Sequence, residues 1–157
     1  MKITIPAVFG VFVGILITAP ASGGRYVIEV YNDSLGKMII QRPAVPGNRF
    51  SLEYMHSIQL HPVVENFTFD KQGDIILTDQ IIMDHGHGLP EPSPKDHWRL
   101  VDDKIHIYNI NKRIGTIVLR VSFLHDQFLV FGSFRLNLVK VARGGQRIII
   151  SVHRFEE

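Results

Sequence analysis

From about residue 27 to residue 153 the chain is cut into short runs rich in Val, Ile, Phe and Tyr, each closed by a turn signal. The runs fall at residues 27–31, 37–41, 49–56, 63–70, 74–82, 104–110, 115–123, 128–130, 134–141 and 146–153. Side chains that branch at Cβ or carry a ring favour the pleated, half-buried surface of a sheet. No stretch of this region keeps a 3.6-residue apolar period beyond one turn, so long helices are excluded. Strands about ten residues apart predict an all-β fold: a single antiparallel β-sandwich or partly open β-barrel of about eight to ten short strands. Asp70-Lys71-Gln72-Gly73-Asp74 has the size of a hairpin loop whose glycine takes a positive φ. Arg143-Gly144-Gly145-Gln146 reads as a second tight turn.

At 157 residues, 45% of them apolar, the chain has the size of one domain with a real core. It has no cysteine, which excludes disulfides, thiolate metal sites and a cysteine nucleophile. After Lys2, no charge appears until Arg25. One basic residue, an apolar run and then Ala19-Pro20-Ala21-Ser22 predict a secretory signal. The run is also close to the length that spans a bilayer, so an uncleaved anchor is the alternative. Either reading makes residues 1–22 a signal or anchor helix and exports a domain at 25–157, to the periplasm or cell surface. Cleavage near residue 21 removes Lys2 alone and leaves 16 basic against 15 acidic groups. That balance, with its basic residues scattered, argues against a nucleic-acid partner.

The densest set of reactive groups lies in residues 49–65, RFSLEYMHSIQLHPVVE. A strand here puts Phe50, Leu52, Tyr54 and His56 on one face, apolar first and polar towards its end. Ser57 follows, Pro62 fixes a bend, and Glu65 falls on the next strand. The segment 84–96, DHGHGLPEPSPKD, holds three prolines and two glycines and reads as a long functional loop.

These residues carry a resemblance. Phe50-x-Leu52-x-Tyr54-x-His56-Ser57, then Pro62-Val63 and Glu65, then Gly86-x-Gly88-Leu89-Pro90 resemble the domain of unknown function 1850 family. That family's pattern is a Tyr-x-His-Ser strand, a Pro-Val-x-Glu start to the next, and a Gly-Ala-Gly-Leu-Pro loop. The resemblance spans about residues 26–152, and His125 matches a further family histidine. It implies a small exported or membrane-anchored protein associated with TRAP-type transporters of the TAXI subgroup, which use an extracytoplasmic solute-binding protein. It implies no catalytic role. The sequence departs from the pattern at His87, where the family carries a small residue.

Three readings of the site follow. In the first, the protein is a non-catalytic accessory or binding module. Tyr54, His56, Ser57, Glu65, Gly86, His87, Gly88 and Pro90 then gather at one end of the sheet. They would hold a small solute, or a loop of a transporter's membrane or solute-binding subunit. In the second, His85 and His87 alternate along extended backbone and, with His56, bind zinc, copper or nickel. Asp84, His61, Asp96 or His97 would complete the ligand set. No other cofactor is expected. In the third, Ser57 is a hydrolase nucleophile using His61, His87 or His125 as base and Glu65 or Asp126 to orient it. Against this, the chain has no Gly-x-Ser-x-Gly elbow. Two further apolar features, Trp98 and the phenylalanines of residues 123–134, are expected to serve the core.

Overall fold

The structure, a computed structural model, describes residues 25–57, 60–83 and 97–155. Among them are twelve strands and one single-turn helix. The strands are β1 (Arg25–Asn32), β2 (Lys37–Ala44), β3 (Phe50–Met55), β4 (Pro62–Phe69), β5 (Ile75–Ile82) and β6 (His97–Val101). They continue with β7 (Lys104–Tyr108), β8 (Lys112–Gly115), β9 (Ile117–Arg120), β10 (Gln127–Phe131), β11 (Phe134–Asn137) and β12 (Arg147–Phe155). Helix α1 (Leu138–Val141) lies between the last two. The apolar segment before Arg25 and the loop 84–96 lie outside the described residues. Among the described residues no helix is long and apolar enough to cross a membrane.

All pairings are antiparallel. The smaller sheet has the order β2-β1-β12-β9, and the larger the order β11-β10-β3-β4-β5-β7-β6. Strand β8 pairs with the first half of β5, while β7 pairs with its second half. The larger sheet therefore forks along β5. Only Thr116 separates β8 from β9, so the chain changes sheets at that point, and Gly115 takes the corner at φ +78°. Neither sheet closes: β2 and β9 bound the smaller, β11 and β6 the larger.

Alternation along the strands builds the core. Tyr26, Ile28 and Val30 of β1, Ile148 and Ile150 of β12, Phe50 and Leu52 of β3, and Phe67 and Phe69 of β4 share one buried cluster. Phe50 stacks between Phe67 and Phe131, with ring centroids 5.3 and 5.4 Å away. A second, smaller cluster on the forked part joins Val63, Ile82, Ile105 and Ile107. Tyr54 packs against both. The Asp70–Asp74 hairpin forms as expected. Gly73 sits at φ +88°, and the Asp70 N–H donates to the Asp74 carbonyl at 3.2 Å.

Four features depart from expectation. Residues 97–101 form a strand carrying Trp98, and all five are exposed, so Trp98 does not close a core edge. The run at 115–123 is split by the change of sheet at Thr116. The run at 134–141 ends in α1, because the Asn137 side chain accepts from the Val139 N–H and starts a helical turn that buries Leu138. Phe123 and Leu124 are 80% and 84% exposed, so the core role expected of residues 123–134 fails at this end. Leu129 alone in that stretch is completely buried.

Candidate functional site

Register places the site. In β3 and β4 the partners are Phe50–Phe67, Leu52–Glu65 and Tyr54–Val63. Directly opposed residues share a face, so Glu65 points inward among the core residues rather than to solvent. Tyr54 is its diagonal neighbour and hydrogen-bonds its carboxylate. On the other side, β5 sets Gln80 directly opposite Glu65. The Gln80 Nε2 donates to Glu65 Oε1 at 3.3 Å, and Gln80 is only 3% exposed. A phenol, a carboxyl and an amide thus form a continuous polar line on an otherwise apolar inner face.

Burial dominates the electrostatics of this line. It raises the Glu65 carboxyl above the ordinary glutamate value, and the Tyr54 hydrogen bond lowers it only in part. The Tyr54 phenol is pushed far above its usual range, first by burial, then by the Glu65 charge and the hydrogen bond to it. Tyr54 is therefore a permanent donor at neutral pH. Glu65 is a carboxyl for which ionisation is costly.

Tyr54 and Glu65 border a cavity of about 200 Å³ between the larger sheet and β9. Leu52, Ile117, Leu119 and Leu138 give it aliphatic walls, and Glu53 and Gln127 stand beside them. The Glu53 carboxylate also pairs with Arg135 at 2.7 Å. Among the described residues the lining includes no Ser, Thr, Cys, His or Lys. Such a space suits an aliphatic group with a polar or charged end.

Of the residues singled out in the sequence, the structure brings Tyr54 and Glu65 together. His56 lies two residues beyond Tyr54, where its N–H donates to the His61 carbonyl at 2.9 Å and extends the β3–β4 ladder. Its backbone stands four strand steps, about 13 Å, from the Leu52–Glu65 pair. Ser57 is exposed in the following turn. His85, Gly86, His87, Gly88 and Pro90 lie outside the described residues, so the glycine loop and the proposed histidine ligands are not placed. Among the described residues, no group of three His, Asp or Glu side chains is arranged to hold a metal ion. The Asp126 carboxylate accepts from Asn137 Nδ2 at 2.9 Å.

Gln80 escapes sequence reasoning for a definite reason. Inward positions Ile75 and Leu77 imply that Asp79 and Ile81 also point inward. A β-bulge reverses this phase: Phe67 pairs with Leu77 and Asn66 with Asp79, leaving Thr78 extra. The Thr78 carbonyl accepts instead from the Ile110 N–H at 3.0 Å. After the bulge Gln80 and Ile82 face inward, and both are buried.

Comparison with known families agrees with the motif resemblance. The model of the domain of unknown function family DUF1850 matches residues 50–138. The chain belongs to this family. The matched region begins at the first inward residue of β3 and ends at Leu138, so it contains the whole polar line and all the described residues of the cavity wall. No curated protein and no solved structure matches the chain.

Proposed function

We propose that the protein is an extracytoplasmic, non-catalytic binding protein that works with a TAXI-type TRAP transporter, held behind its N-terminal signal or anchor. One observation carries the binding part: Tyr54, Glu65 and Gln80 are lined up on the inner face beside a small cavity with aliphatic walls. A buried carboxyl that costs stability, kept beside a space large enough for a side chain, suits recognition. The transporter partnership and the exported location follow from the resemblance and the N-terminal run. We also read the two sheets as a partly open barrel. Arg42 of β2 lies 4.2 Å over the Phe134 ring of β11, bringing the far edges of the sheets together through side chains.

Affinity purification of the tagged full-length chain from its native membranes, after mild cross-linking, tests this reading. A TAXI-type membrane or solute-binding subunit is expected to co-elute, and less of it with Tyr54→Phe or His56→Ala. If no transporter subunit co-elutes with the folded wild-type chain, the partnership is wrong.

A further inference from the structure

Strand β9 ends the smaller sheet, and its open side faces the cavity. The direction of its backbone groups follows from hydrogen bonds on the two sides of β12 at its N-terminal end. The Val121 N–H donates to the Gln146 carbonyl at 2.9 Å, and the Val121 carbonyl accepts from the Gly145 N–H at 2.8 Å. Backbone groups alternate sides along a strand, so Leu119 and Ile117 also turn towards β12. On the far side of β12, the Arg147 carbonyl accepts from the Asp33 N–H at 3.0 Å, which leaves Ile148 and Ile150 for β9. The two directions agree. Val118 and Arg120 therefore turn their N–H and C=O groups away from β12. The Arg120 carbonyl is taken by Gln127 Nε2 at 3.3 Å. Among the described residues, no strand covers the Val118 groups, and the Val118 side chain is 59% exposed.

A short unpaired edge beside a pocket is what strand addition requires: the main chain supplies hydrogen bonds, and alternate side chains enter the pocket. The cavity specifies which side chain. Among the described lining residues its inward charged group is Glu65, since the Glu53 carboxylate lies on the opposite face of β3 in an ion pair with Arg135, and its walls are aliphatic. A lysine matches both features, with a four-carbon stem against Leu52, Ile117 and Leu138 and an ammonium at the carboxylate. A cation there also offsets the burial that opposes ionisation of Glu65. We propose that β9 receives an extended peptide segment of a partner protein as an added antiparallel or parallel strand, with one lysine of that segment inserted into the cavity towards Glu65. This rests on the partner-binding reading above and names the partner's recognition element.

The test uses the full-length chain and a fluorescein-labelled peptide, Thr-Val-Thr-Lys-Thr-Val-Thr, followed by fluorescence anisotropy. Three results are expected. Replacing the peptide's lysine by norleucine, or Glu65 by Gln, weakens binding about tenfold or more, as loss of one charge-assisted contact predicts. N-methylating the amides of one alternate set abolishes binding, while methylating the other set is tolerated, because only one edge of the peptide faces β9. Val118→Pro, which removes an outward N–H at an edge position that accepts proline, abolishes binding. The peptide experiments leave the protein unaltered, so they decide the matter even if Val118→Pro misfolds. No binding, or binding indifferent to both N-methyl sets, overturns strand addition. Equal affinity for the norleucine peptide overturns the lysine assignment. If a transporter subunit still co-elutes undiminished with folded Val118→Pro, this inference fails while the accessory reading stands. If the peptide binds as described but no subunit co-elutes, the reverse holds.

Discussion

Tyr54→Phe is the sharpest perturbation of the polar line, because it removes one oxygen and leaves the ring packed against both apolar clusters. With Glu65 protonated, the lost bond is between neutral groups and costs about 0.5–1.5 kcal/mol. With Glu65 ionised, the lost bond is to a charge and costs about 1.5–3 kcal/mol. The penalty must therefore grow with pH. Below the ordinary glutamate value, Glu65 is protonated in both folded and unfolded chains and contributes no pH dependence. As pH rises past that value, the unfolded chain loses the proton while the folded chain keeps it, since burial raises its carboxyl. Stability contributed by this group is then lost until the pH passes the raised folded value. The Tyr54 bond holds Glu65 down in part, so its removal raises the carboxyl further and widens that window. Urea unfolding of wild type and Tyr54→Phe at pH 4 and pH 8 measures the difference with other titrations cancelled. We expect a gap about 1 kcal/mol larger at pH 8, or roughly 4 °C in Tm for a domain of this size. Glu65→Gln should flatten the wild-type fall in stability across the same window. A Tyr54→Phe penalty independent of pH, or a Glu65→Gln variant with an unchanged pH slope, refutes the account.

Other substitutions probe the frame around the site. Gly73 and Gly47 share φ +88°, but a Cβ at Gly73 meets the Val152 carbonyl oxygen at 3.0 Å and one at Gly47 meets nothing within 4 Å. Gly47→Ala is expected to cost about 1 kcal/mol from backbone strain alone and Gly73→Ala clearly more, both read by urea melts. Leu129→Ala empties a fully buried position and should cost about 2–5 kcal/mol, whereas Val118→Ala on the open edge should stay within about 0.5 kcal/mol. Arg113 bridges Asp70 at 2.6 Å and Asp74 at 2.5 Å from an exposed position, so Arg113→Ala should cost less than about 1 kcal/mol. That cost, read by the same urea melts, should shrink as salt is raised.

Much of this architecture is legible in the sequence because alternation and turn chemistry are local. The Asp70–Asp74 hairpin, the β3 alternation and the burial of Leu52 follow from residue order alone. So does the approach of Tyr54 and Glu65, which depends only on two adjacent strands and one bend. Three things depend on pairing instead. The Thr78 bulge turns Gln80 inward, and no propensity marks Thr78 as the extra residue. The switch at Thr116 cuts an apparently continuous strand in two. Strand β6 forms by pairing with β7 although all its side chains are exposed. Phe123 fails differently. Its ring lies against Gly144 and Gly145, where a Cβ on Gly144 would stand 2.5 Å away, so it is placed by the absence of side chains opposite it. Hydrophobicity alone assigns such a ring to the interior. His56 shares the face of Tyr54 by parity, but parity says nothing of how far along the strand a partner sits.

The fork along β5 divides the apolar interior unequally. One part is large and crossed by nearly every strand of the body; the other is a patch of four aliphatic side chains on the branch. Tyr54 is the residue that touches both and also holds the carboxyl. Anything that draws the phenol towards or away from Glu65 therefore tugs on two packing units at once. The branch, with fewer contacts to lose, is the one that yields first. Occupancy of a space only a few ångströms wide would in this way be felt at the outer strands as a change in how often they open.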